Sequence, residues 1–138
     1  MPFELSDQIR RRIDDEHVIW LTTVTASGRP TPRPVWFVWD EDAFLVYSEP
    51  DTAKVAHVRA GRTAVSLNFN TDPGGGDVVV IAGHAEVLDD VVPPTSLAPY
   101  LEKYADGITS IGMDQAAFDA TYHVALRVTP EQSWSFPA

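Results

Sequence analysis

Cysteine is absent from the 138 residues, which excludes disulfide frameworks, cysteine-held zinc, iron–sulfur clusters and thiol nucleophiles. Long apolar runs are absent too. The longest, Val35–Trp39 and Val78–Ala82, fall far short of the roughly 20 residues a membrane helix needs. The first residues, MPFELSDQIRRRIDDEH, lack the apolar stretch of a secretory signal, so the expected location is the cytoplasm. Basic residues are scarce, ten lysines and arginines against twenty acids for a net charge of −10, and this argues against a general nucleic-acid binder. Eight of the ten bases lie within residues 1–62, a concentration that suits a small anionic ligand as well as it suits plain solubility.

Familiar catalytic motifs are missing as well. His17, His57, His84 and His123 sit in separate segments without i, i+4 spacing, so no metal site is expected. His57 is read as lying on an exposed helix face. No serine occupies a G-x-S-x-G elbow. The Gly74–Gly76 run precedes a strand pattern, whereas phosphate-cradling loops of the P-loop or dinucleotide type open a helix.

What is present is a β pattern. Leu5, Ile9 and Ile13 recur every four residues, predicting a short N-terminal helix with Arg10, Arg11 and Arg12 mostly off its apolar stripe. From Val18 onward β-branched and aromatic runs are punctuated by turn residues. VIWLTTVTA, PRPVWFVW and AFLVYS read as strands one to three, joined by SGRP and DED. Pro32 and Pro34 lack N–H donors, which places that end of strand two at an edge or a bulge. Asp51 is positioned to cap a helix TAKVAHVRA that stops at Gly61. RTAVSLNFN is strand four, and DVVVIAGHAEVL a long strand five in which Gly83 marks a bulge. TSLAPYLEKYA and DQAAFDA are helical, with a loop around Gly107 and Gly112 between them. TYHVALRV is the sixth strand, closed by Pro130. Most turns are too short for parallel crossovers, so the expected fold is mainly β (α+β), one domain over residues 1–138: a six-stranded antiparallel barrel or sandwich with a few short helices. Side chains fill a barrel that small, so a sizeable ligand belongs outside it.

One segment has the chemistry for an anion. Strand three ends in Tyr47 and Ser48, and the next helix begins at Thr52 with Lys54 in its first turn. Two hydroxyls, an ammonium and the free N–H groups of a helix start suit a phosphate, although ordinary capping with a solvated Lys54 has the same spacing.

The strings RPVWFVWD, AFLVYSEPDTAKVAHVRAGRTAVSL and DVVVIAGHAEVL resemble the pyridoxamine-phosphate-oxidase-like split β-barrel superfamily over about residues 17–130. More narrowly they are similar to the small actinobacterial members that use the deazaflavin coenzyme F-420. The resemblance rests on an Arg in strand two, an aromatic–Ser pair ending strand three, T-x-K opening a helix, and an Arg before a V-S-L strand. It implies a split barrel that binds FMN or F-420 at the interface of a homodimer. By position, Arg33, Ser48, Thr52 and Lys54, with Ala53 between the last two, match phosphate-contacting places. Val35, Trp36 and Tyr47 match places where strand backbone runs along the tricyclic ring. A phosphate dianion needs charge-assisted donors, which Arg and Lys supply.

The resemblance also marks a departure. Pyridoxamine-phosphate oxidase proper ends in a basic, His-containing motif, while this chain ends PEQSWSFPA with no base after Arg127, so that substrate is not expected. Trp134 matches a C-terminal aromatic that some relatives lay near the partner's flavin. Arg10, Arg11, Arg12, Arg59 and Arg62 are candidates to line the exit of the anionic F-420 tail, which tilts the choice toward F-420. The expected activity is hydride transfer to a small unsaturated organic acceptor, the cofactor supplying the chemistry. Tyr104 and Tyr122 are conceivable proton donors without positional support. The alternatives are a non-catalytic carrier of flavin, deazaflavin or haem, and a barrel whose dimer interface is itself the function.

Overall fold

The fold is described from a computed structural model over residues 2–138. An N-terminal helix α1 (Asp7–Asp15) is followed by β1 (Ile19–Val24), β2 (Pro30–Val35), β3 (Val38–Asp40), β4 (Ala43–Ser48), α2 (Ala53–Arg59), β5 (Ala64–Asn68) and β6 (Val78–Leu88). Then come α3 (Ala98–Ser110), α4 (Gln115–Thr121) and the last strand β7 (Val124–Phe136). The strands form one sheet in the order β2-β1-β5-β6-β7-β4-β3, and every pairing is antiparallel. Inward residues from strands far apart in that order, such as Leu21, Phe44, Leu67, Ile81 and Leu126, meet in one core. The sheet is therefore curled into a half-barrel around them, with α1 contributing Ile9 and Ile13. A second apolar cluster lies behind β4, where Val38, Leu45 and Tyr47 pack against Tyr100, Tyr104 and Ile108 of α3 and Phe118 of α4.

Seven strands, not six, build the sheet, because the run read as a single second strand has two different partners. Its first half pairs with β1, through Val35 opposite Ile19, and its second half pairs with β4, through Val38 opposite Leu45. β2 and β3 thus occupy the two opposite edges of the sheet, joined only by Trp36 and Phe37. Phe37 is fully buried between them, so its backbone groups need partners other than a strand. The Tyr104 hydroxyl accepts from the Phe37 N–H at 2.9 Å and lies within donating range of the carbonyls of His17 (2.7 Å) and Phe37 (3.0 Å). Lys103 donates to the Phe37 carbonyl from 3.2 Å.

Pro30, Pro32 and Pro34 alternate along β2, an edge strand, as expected from their missing donors. The bulge expected at Gly83 is present as a register shift between Ala82 and Gly83. A Cβ at Gly83 would stand 2.8 Å from the Thr129 carbonyl oxygen, which explains the glycine. Pro130 falls opposite this bulge, where a missing N–H costs no ladder bond. It does not end the last strand, which runs on to Phe136.

Three further expectations are corrected. Thr52, not Asp51, is the N-cap of α2, and its side chain makes no capping bond. Gly107 lies inside α3 rather than in a loop: a Cβ there would sit 3.1 Å from the Trp36 indole, so a glycine lets the helix pass over that ring. Arg12, read as lying off the apolar stripe of α1, is 5% exposed. It donates to the carbonyls of Asp77 and Asn70 and pairs with Glu16, while Arg11 pairs with Asp77. Two arginines thus fasten α1 to the ends of the β5–β6 connection.

Candidate functional site

The site is assembled where β4 leaves the sheet. β4 alternates between the two cores, with Phe44, Val46 and Ser48 turned toward the barrel and Leu45 and Tyr47 toward α3. Opposite them, β7 brings Ala125 beside Tyr47 and Val124 beside Ser48. The chain then turns through Glu49–Asp51 into α2, which is seated by buried Val55 and Val58. α2 is also pinned by a hydrogen bond of 2.8 Å between His57 Nδ1 and the Thr23 hydroxyl, so His57 is not the free surface residue expected.

The Ser48 and Thr52 hydroxyls are 3.0 Å apart, and Ser48 donates to the Glu49 carbonyl at 2.7 Å. Ala53 opens α2, exposed, and Lys54 follows, half-buried. Burial lowers the pKa of the Lys54 ammonium below the ordinary lysine value, and the nearby charge of Glu49 opposes the shift. Among the described residues, Lys54, Arg10 and Arg29 are the cations whose side chains make no hydrogen bond or ion pair. Arg10 and Arg29 are exposed. Lys54 is the one that combines partial burial with a free ammonium.

Val35, Trp36 and Tyr47 come together. They form the strand side of a cavity of about 290 Å³, closed by Tyr100 and Ile111 of the α3 segment and by Phe118 and Tyr122 of the α4 segment. The Trp36 indole is stacked on Tyr104, with centroids 4.6 Å apart and planes at 6°, and lies 5.9 Å from Phe118. The Tyr47 hydroxyl donates to the Val92 carbonyl, and burial among acidic neighbours raises its pKa to about 12. No charged side chain lines this cavity.

Arg33 and Trp134 are not gathered into the same place. Arg33 is exposed, and its guanidinium donates to the Pro32 carbonyl at 2.8 Å. Trp134, 61% exposed, pairs with Val80 nine residues along β7 from Ala125, about 30 Å at strand spacing. It lies on the outer face of the sheet, in one cross-strand row with Pro34, Trp20, Asn68 and Val80. Four of the five expected tail-lining arginines have partners within the chain, Arg11 and Arg59 in pairs at the surface. Besides Arg11 and Arg12, Arg59 pairs with Asp89 and Arg62 donates to the Val24 carbonyl. The charge argument for F-420 over FMN therefore lapses, with only Arg10 left free. Tyr104 has no free proton to give, since its hydroxyl is bonded within the β2–β3 junction. Tyr100 and the α3–α4 wall were missed, because helix periodicity reports a buried face and is blind to what that face encloses.

A curled antiparallel sheet whose consecutive strands β2 and β3 sit at its two edges defines the split β-barrel class. The sequence model of pyridoxamine 5'-phosphate oxidase matches residues 5–136, and the chain belongs to that family. Solved structures agree on the fold. An F-420 reductase superposes with a TM-score of 0.68 at 23% identity, covering 91% of this chain and 94% of that one. A FAD-binding protein from Mesorhizobium loti gives 0.67 at 20%, with 96% and 94% covered. A haem storage protein from Vibrio cholerae gives 0.66 at 16%, with 96% and 95% covered. No helix among the described residues is long and apolar enough to cross a membrane.

Proposed function

We propose that the chain is an oxidoreductase that holds the phosphate of FMN or F-420 at Ser48, Thr52 and Lys54, beside the ring-flanking segments Val35–Trp36 and Tyr47. The observation that carries this reading is Lys54, a half-buried ammonium without a partner among the described residues, two positions along the chain from Thr52, whose hydroxyl is 3.0 Å from that of Ser48. A partly desolvated cation is unfavourable alone and favourable once an anion joins it. Matches to a F-420 reductase and a FAD-binding protein support a flavin-type ligand.

Such a ligand supplies the hydride chemistry when bound. The chain supplies position and exclusion of water. Ser48 and Thr52 fix the phosphate end by hydrogen bonds, and Lys54 neutralises its charge. The cavity of about 290 Å³ lies at the small end for a ligand pocket, so one protomer walls only part of a three-ring dye. In this reading a second copy completes the site. In the same reading the exposed row around Trp20, Val80 and Trp134 is the surface through which the two copies meet, with Trp134 toward the partner's cofactor, while Arg33 belongs to the opposite face of β2, across from Leu21.

Titration of the purified chain with FMN and F-420, followed by absorbance and fluorescence, tests the reading. Saturable binding of either, lost in Lys54→Met, supports it, and the absence of binding to both removes it. Binding without turnover of the reduced cofactor against a panel of enones would make the chain a carrier instead.

A further inference from the structure

α2 is a helix of seven residues held by two kinds of contact. Val55 and Val58 are buried and supply apolar attraction, which has no direction and so leaves the rotation of the helix about its own axis loosely set. Directional bonds are made at its two ends. At the N-cap, the Thr52 hydroxyl lies 3.0 Å from that of Ser48, the last residue of β4. One turn further on, His57 Nδ1 lies 2.8 Å from the hydroxyl of Thr23 in β1. The sheet places β5, β6 and β7 between β1 and β4, so α2 is tied to two strands that the sheet itself keeps apart.

The tie at His57 is made to a buried group. Thr23 is 1% exposed, and its hydroxyl depends on protein partners. The Thr31 hydroxyl of β2 donates to the Thr23 carbonyl at 3.0 Å and lies 3.3 Å from the Thr23 hydroxyl. Thr31 has thus committed its proton, and the imidazole is the nearer partner of Thr23. The bond works in either sense: Nδ1 accepts from Thr23, or donates to it while Thr23 passes its own proton to Thr31. Among the described residues, His57 is the one side chain of α2 hydrogen-bonded to a strand.

Lys54 stands between the two ties. At about 3.6 residues per turn, positions three apart lie about 60° apart around a helix axis, so Lys54 and His57 share a flank of α2. Any rotation that slackens the His57 bond carries the Lys54 ammonium with it.

We infer that His57 is a positioning residue: its bond to Thr23 sets the rotation of α2 and hence the direction in which Lys54 presents its ammonium to a phosphate. His57 acts through Lys54 rather than on the ligand. The inference rests on the proposed function for the anion and adds the residue that sets the strength of the grip.

The test titrates the full chain as purified with two pairs of probes that differ by their phosphate: FMN with riboflavin, and F-420 with its phosphate-free deazaflavin core. Dye fluorescence reports affinity, and the quantity read is the gain that the phosphate brings. His57→Leu should shrink that gain by roughly three- to tenfold, as loss of one hydrogen bond requires, and leave the phosphate-free dye bound as in wild type. His57→Asn, which sets an amide oxygen or nitrogen in the place of Nδ1, should restore most of it. Thr23→Val, made from the strand side, should repeat the loss. In a Lys54→Met background His57→Leu should cost nothing further, because a residue that acts through Lys54 has nothing left to act on. The inference is overturned if wild type gains from the phosphate and His57→Leu gains as much, if both dyes of a pair weaken alike, if His57→Asn is no better than His57→Leu, or if the loss adds in full to that of Lys54→Met. A wild type that gains nothing from the phosphate in either pair removes the grip itself and this inference with it, an outcome seen before any variant is made.

Discussion

The indole of Trp36 lies flat on the phenol ring of Tyr104, 4.6 Å between centroids and 6° between planes. One residue belongs to the two-residue link between opposite sheet edges, the other to a helix that closes the back of the site. The stack therefore joins the barrel to the wall of the cavity, and small changes on either side should be felt on both.

Gly107 is the first such change. Its Cα faces the indole so closely that an added Cβ would meet it at 3.1 Å, and Trp36 is held from giving way by Tyr104 and Phe118. Gly107→Val is expected to displace the ring and to lower stability by about 1–3 kcal/mol, although valine is the better helix former. Thermal unfolding measures the loss, and near-ultraviolet circular dichroism of tryptophan reports the displaced ring.

Tyr104→Phe removes the hydroxyl that serves the Phe37 N–H and faces two carbonyls. The buried donor left behind should cost about 1–3 kcal/mol. Amide exchange at Phe37 should accelerate well ahead of the amides in β1 and β5, whose ladders are untouched.

Lys103 sets a pH dependence. Its ammonium stands 3.7 Å over the Phe37 ring, and burial lowers its pKa to about 8 against 10.5 for an ordinary lysine, with Asp14 and Glu16 opposing the shift. Between those values the unfolded chain binds more protons than the folded one, so this group makes stability rise with pH from about 8 to 10.5. Tyr47, whose pKa is raised by burial to about 12 from 10, acts in the opposite sense above pH 10. Melting temperatures across pH 7–11 should show an alkaline gain in wild type that is smaller in Lys103→Met, where Lys54, lowered in the same direction, is left to supply it.

Lys54→Met should leave the fold intact, since its ammonium bonds to nothing among the described residues, and it should weaken FMN or F-420 binding by about 1.5–3 kcal/mol if a charge-assisted phosphate bond is lost. Equal affinity in the two proteins would dismiss the phosphate assignment. Arg12→Ala makes the contrast: it should destabilise the chain before any effect on ligand binding becomes measurable, because its guanidinium fastens α1.

Trp134→Ser tests the completed site. The side chain is 61% exposed on the outer sheet face, so monomer stability should hardly move. Light scattering should nevertheless show a dimer weakened toward monomer, with cofactor affinity falling alongside. An unchanged mass would dissociate Trp134 from any assembly.

Much of the molecule was legible in its residues. Runs of β-branched and aromatic residues between turn signals located the strands apart from the split of the second and the length of the last, and Gly83 announced the bulge because only a missing side chain tolerates the Thr129 carbonyl so near. The segment Tyr47–Lys54 also announced itself through local chemistry. The split of PRPVWFVW did not, since its alternation of faces is unbroken from Arg33 to Trp39 and only the hydrogen-bond partner changes. Arg12 and His57 were misread for a related reason. Their partners, Asp77 and Thr23, are distant in sequence, and a helix pattern reveals which residues share a face but not what that face meets. Tyr100 showed its helical face in the same way, while the cavity it lines exists only once two helices and two strands are assembled.

The alternating prolines of β2 have a consequence outside the site. Each must turn its nitrogen away from β1 for the ladder to survive, so this rim of the sheet offers carbonyls and almost no N–H groups to a passing chain. Stacking of one molecule on another by backbone bonds, the usual beginning of fibrillar aggregation at an open sheet edge, is denied its donors there. Replacing the three prolines with threonines would restore them, and with them the hazard.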